Sequence, residues 1–214
     1  ITGNKNGKVY LLCTDGVAEF DLTTQRFKTL LQGNVDAIYF NEKLYIGKRE
    51  EVFVYNESTG NFDLYYHLAG KDITLSCLHL DEKKNLWMGT TSNGLYCLSG
   101  DKKISQPVTR GNIASIYEDS SKELWICTWE EGLYRIKTDS TIENFRHDPK
   151  NPNSICADFV RSCCEDNAGN LWIGTFHGLN RYEKSTGKFQ LYTANANKPD
   201  GLTHSSIWCI VKDE

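Results

Sequence analysis

One short pattern recurs along this chain, and it constrains the fold more than any other feature. Its fullest copy reads Asn-Leu-Trp-Ile-Gly-Thr at residues 170–175, then Gly-Leu-Asn-Arg-Tyr at 178–182 and Ser-Thr-Gly-Lys-Phe at 185–189. Each copy has an aromatic anchor after a leucine or valine, at Tyr10, Tyr45, Trp87, Trp125 and Trp172. Successive anchors are 35, 42, 38 and 47 residues apart. Repeats of this length indicate a supersecondary unit that stacks against copies of itself.

Each repeat predicts four short strands. A strand that ends in Asp or Asn occurs five times, at 35–41, 75–81, 113–119, 160–166 and 207–213. In the fullest copy the four strands, named A to D, are expected at about 159–165, 171–174, 179–182 and 189–192. Apolar positions alternate with a period of two, which is typical of strands and not of helices. Gly, Asn and Asp supply the turns between them.

These strands predict an all-β chain, a β-propeller of about five four-stranded blades. One such sheet cannot bury both of its faces alone, whereas blades stacked around an axis cover each other. The approximate blades are 1–32, 33–70, 71–110, 111–155 and 156–204, with 205–214 as the first strand of a next or closing blade. That last strand, expected over 207–211, could pair with the opening strand near Val9 and close a five-bladed ring. Alternatively, the chain is part of a larger, seven-bladed propeller.

Composition and charge exclude several classes of function. The formal net charge is −4, from 24 basic and 28 acidic residues, so no nucleic-acid partner is expected. No apolar stretch approaches the roughly 20 residues that span a bilayer, and no direct membrane contact is expected. The sequence contains no glycine-rich phosphate loop and no zinc-ligand spacing. It therefore predicts no cofactor, no metal and no catalytic residue.

Eight cysteines raise the question of disulfide bonds, because an even count in an exported protein fits a disulfide framework. Most of them lie inside predicted strands, and Cys127 takes the place of the glycine in Leu-Trp-Ile-Gly-Thr. The sequence therefore favours small, buried apolar side chains over disulfides. The eight are Cys13, Cys77, Cys97, Cys127, Cys156, Cys163, Cys164 and Cys209.

The segment from Asp166 to Phe189 resembles the two-component regulator propeller repeat. It carries Asp-x-x-Gly-Asn-Leu-Trp-Ile-Gly-Thr, then Gly-Leu-x-Arg-Tyr and Thr-Gly-x-Phe. The resemblance implies a non-enzymatic, periplasmic sensor region of an inner-membrane hybrid two-component system, whose histidine kinase lies outside this chain. It further implies an oligosaccharide ligand, contact with the rest of the sensor protein, and a homodimer.

Recognition is expected on one face of the blades, where the D-to-A and B-to-C connections emerge together. The D-to-A loops at 146–158 and 193–206 are long, and such loops commonly carry binding residues. Trp129 and Phe176 occupy equivalent B-to-C tips, and an aromatic plane suits the C–H face of a sugar. Packing against adjacent loops is the alternative for both rings, and Trp208 is assigned to packing inside a strand. The candidate ligand-binding residues are Arg49, Glu50, Trp129, Glu130, Phe176, His177, Asp158, Arg161 and His204.

Two other functions stay open at this point. A protein-interaction scaffold would expose an apolar loop face and bind no sugar. A propeller lyase or glycosidase would need converging carboxylates near Asp158 or Glu130, about 5 Å apart for retaining hydrolysis or about 6.5–9.5 Å apart for inverting hydrolysis.

Overall fold

The computed structural model describes residues 2–3, 7–70, 72–105, 108–195 and 201–212, and all regular structure within them is β-strand. Twenty strands form five antiparallel sheets, each built from four consecutive strands. The prediction of an all-β chain with five four-stranded blades is therefore confirmed. The chain divides into two compact units, residues 1–105 and residues 106–214. Within the described ranges no helix is long and apolar enough to cross a membrane.

The first unit contains three blades. Blade 1 comprises β1 (Thr2–Gly3), β2 (Lys8–Cys13), β3 (Gly16–Asp21) and β4 (Arg26–Gln32). Blade 2 comprises β5 (Ala37–Asn41), β6 (Lys43–Lys48), β7 (Glu51–Asn56) and β8 (Asn61–His67). Blade 3 comprises β9 (Leu75–Leu80), β10 (Leu86–Thr90), β11 (Leu95–Leu98) and β12 (Ile104–Ser105).

The second unit contains two blades and the segment that follows them. Blade 4 comprises β13 (Ile113–Glu118), β14 (Leu124–Thr128), β15 (Leu133–Ile136) and β16 (Ile142–Phe145). Blade 5 comprises β17 (Val160–Glu165), β18 (Leu171–Thr175), β19 (Leu179–Glu183) and β20 (Lys188–Tyr192). The four strands of blade 5 agree with their predicted positions to within one residue at either end.

One aspartate organises the A-to-B turn in each of blades 3 to 5. In blade 5, Asp166 Oδ1 accepts hydrogen bonds from two backbone N–H groups of the turn, both at 2.9 Å, and its Oδ2 accepts one from Trp172 Nε1 at 2.8 Å. The same 2.8 Å bond runs from Trp87 to Asp81 and from Trp125 to Asp119. Asp and Trp recur together in the repeat because the turn and the anchor form one hydrogen-bonded unit.

The position of the β-bulge distinguishes the first two blades from the last three. In blades 3, 4 and 5 the A strand carries one extra residue opposite the B strand, at Ser76, Ala114 and Arg161. In blades 1 and 2 the extra residue belongs to the D strand, at Leu30 and Tyr65. A bulge leaves its extra residue outside the ladder and redirects that side chain. The late blades therefore present a redirected side chain near the start of each A strand.

Blades 4 and 5 share a buried ion network. Lys184 Nζ on blade 5 lies 2.7 Å from Asp119 Oδ2 on blade 4 and 2.5 Å from Glu165 Oε1. Burial alone would raise the pKa of Asp119, but hydrogen bonds from Lys184 and Trp125 hold it below its ordinary value. Burial would likewise raise the pKa of Glu165, but its hydrogen bond with Lys184 contributes to a pKa below the ordinary value. Burial would lower the pKa of Lys184, yet its two carboxylate partners raise it.

The two ends of the described chain differ from the predicted strands. Residues 201–212 form no strand, although one was predicted over 207–211. The Ile207 N–H donates to the Thr175 carbonyl at 2.9 Å, but the segment has no cross-strand ladder, and a strand exists only through such a ladder. At the opposite end, β2 is paired on both edges, with β1 and with β3. Blade 1 thus contains a short first strand that the sequence pattern did not predict.

The cysteines are all free thiols. Cys97, Cys127 and Cys163 are buried, as predicted, whereas Cys13 and Cys209 are exposed, so the prediction is wrong for those two. Burial raises the pKa of Cys97 to about 11. The Sγ atoms of Cys127 and Cys163 lie 3.6 Å apart, and this hydrogen bond, together with burial, raises the pKa of Cys163.

Candidate ligand-binding site

Three aromatic rings of the second unit form a contiguous row. Trp129 follows β14, Phe159 precedes β17, and Phe176 follows β18. The ring centroids of Trp129 and Phe159 lie 4.8 Å apart, and those of Phe159 and Phe176 lie 5.6 Å apart. Trp129 is 37% exposed and Phe176 is 50% exposed. The two aromatic residues that the sequence singled out are therefore joined through a third, and the row stays open to solvent.

Hydrogen bonds at the B-to-C tips hold these rings in place. In blade 5, Thr175 Oγ1 donates to the Gly178 carbonyl at 2.8 Å, and the Phe176 N–H donates to the Phe159 carbonyl at 3.2 Å. The tip of blade 4 has the same pair of bonds, from Thr128 Oγ1 to Gly132 at 2.7 Å and from the Trp129 N–H to Asn112 at 3.1 Å. The backbone of each tip is thus fixed, and the side chain after the threonine is free to vary.

Arg161 lies among these rings. It is the extra residue of the bulge in β17, so its side chain leaves the strand ladder. Its Cζ atom lies 5.2 Å from the ring centroid of Trp129, 5.3 Å from that of Phe159 and 3.4 Å from that of Trp208. Its Nε atom is buried and has no hydrogen-bond partner among the described residues. Contacts of this kind between a guanidinium and aromatic faces are attractive, but they do not neutralise its charge.

Trp208 completes the cluster, which we define as Trp129, Phe159, Arg161, Phe176 and Trp208. The repeat places Val160-Arg161 and Ile207-Trp208 in equivalent positions. The sequence assigned Trp208 to packing inside a strand, and this is wrong because the residue lies outside any strand and is 66% exposed. Its ring instead stacks on the Arg161 guanidinium.

Asp158 supports the long loop before β17. Its Oδ2 lies 2.7 Å from Arg146 Nη2, and its Oδ1 accepts a hydrogen bond from the His147 N–H at 2.7 Å. Both carboxylate oxygens are therefore engaged within the loop. Asp158 thus stabilises the conformation of this loop next to the cluster.

The other predicted residues of the second unit lie around the cluster with fewer contacts. His177 is exposed, and its ring centroid lies 5.7 Å from that of Phe176. Glu130 is exposed at the tip beside Trp129. His204 is also exposed, and its Nδ1 accepts a hydrogen bond from the Ser206 N–H at 3.0 Å.

Arg49 and Glu50 belong to the first unit, at the B-to-C tip of blade 2. The Arg49 N–H donates to Asp36 Oδ2 at 2.5 Å, and Arg49 adopts a positive φ of 51°. The carbonyls of Arg49 and Glu50 accept hydrogen bonds from Leu75 and Leu68 at 2.9 and 2.8 Å. Their described contacts are thus made through the backbone, and this tip has Lys48 where blades 3 to 5 have the threonine.

Sequence reasoning missed Phe159 and Trp208 as site residues. Phe159 was taken as the first residue of an A strand, although its carbonyl accepts a hydrogen bond from the Phe176 N–H at the B-to-C tip of the same blade. Trp208 was hidden by the expectation of a strand over 207–211. The sequence aligns Trp208 with Arg161, but this alignment points to the site only once the bulge shows that Arg161 leaves the strand ladder.

The described residues contain no group of three or more His, Cys, Asp or Glu side chains placed to hold a metal ion. The distinctive features of the site are therefore aromatic surface and one guanidinium.

Comparison with known proteins agrees with this architecture. Residues 154–177 match the family model of the two-component regulator propeller, which confirms the resemblance drawn from the sequence. No curated protein matches the chain in sequence.

Among solved structures, the fold is similar to the extracellular domains of two hybrid two-component systems from B. thetaiotaomicron. One is 20% identical with a TM-score of 0.71, and the other is 19% identical with a TM-score of 0.67; each match covers 99% of this chain and 35% of the other. The fold is also similar to virginiamycin B lyase from Staphylococcus aureus, at 15% identity and a TM-score of 0.71, over 92% of this chain and 70% of the lyase. The chain thus spans about a third of the length of the sensor structures that it matches.

Proposed function

We propose that this chain is a ligand-sensing part of the extracytoplasmic, periplasmic region of a hybrid two-component system. The match of residues 154–177 to the two-component regulator propeller supports this, as does the fold shared with extracellular domains of such systems. The ligand is an oligosaccharide, and the response passes to a histidine kinase elsewhere in the protein.

The observation that carries the proposal is the open aromatic cluster of the second unit. Monomeric soluble proteins bury most of their large aromatic rings, and a rimmed, exposed group of them marks a binding surface. The rings of Trp129 and Phe176 already pack against Phe159, so they lose little side-chain entropy when a ligand binds. Their flat faces suit the C–H faces of sugar rings, and His177, Glu130 and His204 supply donors and acceptors for hydroxyls.

Signalling would follow from a shift between conformations. A sugar that binds one arrangement of the sensor more tightly biases the equilibrium by its difference in affinity for the two states. The partners in that arrangement are the rest of the sensor protein and a second copy of it. This chain performs no catalysis in the scheme, and Asp158, which precedes Phe159 directly in sequence, is already paired with Arg146.

A direct test is calorimetric titration of the 214-residue chain with a panel of defined neutral and acidic oligosaccharides. Binding by one of them, weakened about fivefold by Trp129→Ala or Phe176→Ala, is the expected result, since an aromatic contact of this type contributes about 1 kcal/mol. Phe27→Ala is the matched control, because Phe27 is an exposed phenylalanine of the first unit. Binding that Phe27→Ala weakens as much would place the site elsewhere. Silence across the panel would favour a protein-interaction scaffold.

A further inference from the structure

We infer that the ligand of the second unit carries an anionic group, a carboxylate or a sulfate, which the Arg161 guanidinium binds. This inference rests on the proposed function and narrows its ligand from oligosaccharides in general to acidic oligosaccharides. It depends on three observations: the missing counter-charge of Arg161, the location of its side chain, and the contrast with a second arginine.

The first observation is that Arg161 has no partner for its charge in the described ranges. No described carboxylate forms an ion pair with it, and its buried Nε–H has no described acceptor. A buried donor without an acceptor costs free energy, and a donor on a charged group costs more. The two Nη groups are not buried, so an anion from outside the chain can bind the guanidinium there and compensate its charge. Of the acceptors that bind guanidinium, carboxylate and sulfate oxygens match its fork of parallel N–H groups most closely.

The second observation is where the side chain lies. The bulge takes Arg161 out of the ladder and places its Cζ 3.4 Å from the Trp208 ring and 5.2 Å from the Trp129 ring. The equivalent bulge residues of blades 3 and 4 are Ser76 and Ala114, which are small and uncharged. A cation at this position is therefore not required by the blade. Arg161 therefore lies within the aromatic surface, so a single ligand can contact the rings with a sugar face and the guanidinium with its charged group.

The third observation is the contrast with Arg135 in the same unit. Arg135 also lies over a tryptophan, with its Cζ 5.2 Å from the ring of Trp125. Its guanidinium is neutralised within the chain, by Glu123 at 2.5 Å and Glu143 at 3.3 Å. Both arginines stack on indole rings, but only Arg135 has carboxylate partners within the part of the chain that the structure describes. The structure assigns the missing carboxylate or sulfate of Arg161 to the ligand.

The test compares matched acidic and neutral saccharides on the whole chain by calorimetry. The probes are a tetrasaccharide of galacturonic acid with its carboxyl-reduced galactose counterpart, and a sulfated chondroitin tetrasaccharide with its desulfated form. An acidic probe is expected to bind about 10–100-fold more tightly than its neutral counterpart at low salt, the range for hydrogen bonds to charged groups. Binding of that probe should weaken as sodium chloride is raised, because added salt screens the charge. The two pairs distinguish a carboxylate from a sulfate.

Arg161→Gln should remove that preference, leaving the acidic and neutral probes with similar affinities. Arg161→Lys keeps the charge but not the two parallel donors, so its affinity should fall between those of the wild type and Arg161→Gln. Arg26→Gln, an exposed arginine at the start of β4, is the control and should change nothing. Equal melting temperatures for the variants and the wild type establish that folding is intact.

Three outcomes overturn the inference, and they differ in what they say of the proposed function. Equal affinity for acidic and neutral probes refutes the anionic group while leaving an oligosaccharide sensor. Acidic binding that Trp129→Ala weakens and Arg161→Gln does not has the same meaning. Failure of every probe in this set and in the wider panel refutes both.

Discussion

Trp125 and Trp129 lie four residues apart, near opposite ends of β14, and they differ in role: one ring is part of the core and the other is part of an exposed surface. Trp125 is fully buried, and its indole N–H donates to Asp119 at 2.8 Å. Trp129 lies just past the other end of the strand and is more than one-third exposed. Each ring has an arginine 5.2 Å from its centroid, but among the described residues only the arginine beside Trp125 has carboxylate partners. At the end of the blade near Trp125, the charged groups are paired within the chain. At the end near Trp129, exposed aromatic rings and the Arg161 guanidinium are available to bind a ligand.

The largest expected difference is in stability between truncations of these two tryptophans. Trp125→Ala removes a fully buried ring that also packs against Phe145 and Tyr182, and it should cost about 3–5 kcal/mol of unfolding free energy. Trp129→Ala removes an exposed ring and should cost less than about 1 kcal/mol. Urea unfolding followed by circular dichroism measures both. Similar losses for the two variants would contradict the division between the ends of the strand.

The next largest effect concerns Asp119, which joins the turn to blade 5. Asp119→Ala leaves Lys184 with one carboxylate and the Trp125 indole without an acceptor, so a loss of about 3 kcal/mol is expected. Asp81→Ala is the matched variant, because Asp81 accepts the same indole bond from Trp87 but has no lysine partner among the residues that the structure describes. Its loss should be about 1–2 kcal/mol. Equal losses of unfolding free energy for the two variants would show that the ion pair between Asp119 and Lys184 does not contribute to stability.

The ion network also predicts how stability depends on pH. The folded-state pKa values of Asp119 and Glu165 are lowered, so their contribution is present above the unfolded values near 4 and is lost as pH falls through the folded values. The pKa of Lys184 is raised, so its contribution is complete below about 10.5 and is lost as pH rises through the folded value. Melting temperatures measured between pH 2 and 7 should fall less steeply for Asp119→Asn than for the wild type. Trp129→Ala should retain the wild-type slope.

The smallest expected effect on stability concerns the backbone conformation of the A-to-B turns in blades 4 and 5. Gly169 has a φ of +79° and Lys122, at the same turn position in blade 4, has a φ of +65°. Gly169→Ala meets no neighbouring atom, so its cost is purely conformational, about 1 kcal/mol. Lys122→Gly should stabilise by about 0.5 kcal/mol, since relief of the left-handed conformation outweighs the added freedom of the unfolded chain. Denaturant unfolding resolves the two signs, and a destabilising Lys122→Gly would show that the lysine side chain contributes more than its backbone costs.

The blades could be predicted because their determinants are local. Alternating apolar residues, a turn with Asp and Gly, and an aromatic anchor all lie within one repeat, so their spacing marks each strand. The bond from Trp172 to Asp166 could not be seen in the sequence, although it explains why the two residues occur together. The exposed Cys209 and the absence of a strand at 207–211 also escaped prediction, because a strand depends on a partner that lies elsewhere.

The binding residues were only partly predictable for a related reason. Trp129 and Phe176 stood out because the repeat places them at tips where other copies have polar residues. Arg161 was noted, but the absence of a carboxylate partner in its described surroundings depends on the three-dimensional structure and has no local signal in the sequence. Phe159 and Trp208 became visible only when the bulge and the tip hydrogen bonds were known.

The bulge in the A strand has a consequence for how such chains acquire new specificities. Its extra residue belongs to no ladder pair, so its side chain can be exchanged without shifting the register of the sheet. Ser76, Ala114 and Arg161 already differ in size and charge at this one position while their blades keep the same four strands. In this repeat, the residues that stabilise the blade are therefore different from the bulge residue that the blade exposes for recognition. A chain built in this way can alter its recognition one blade at a time.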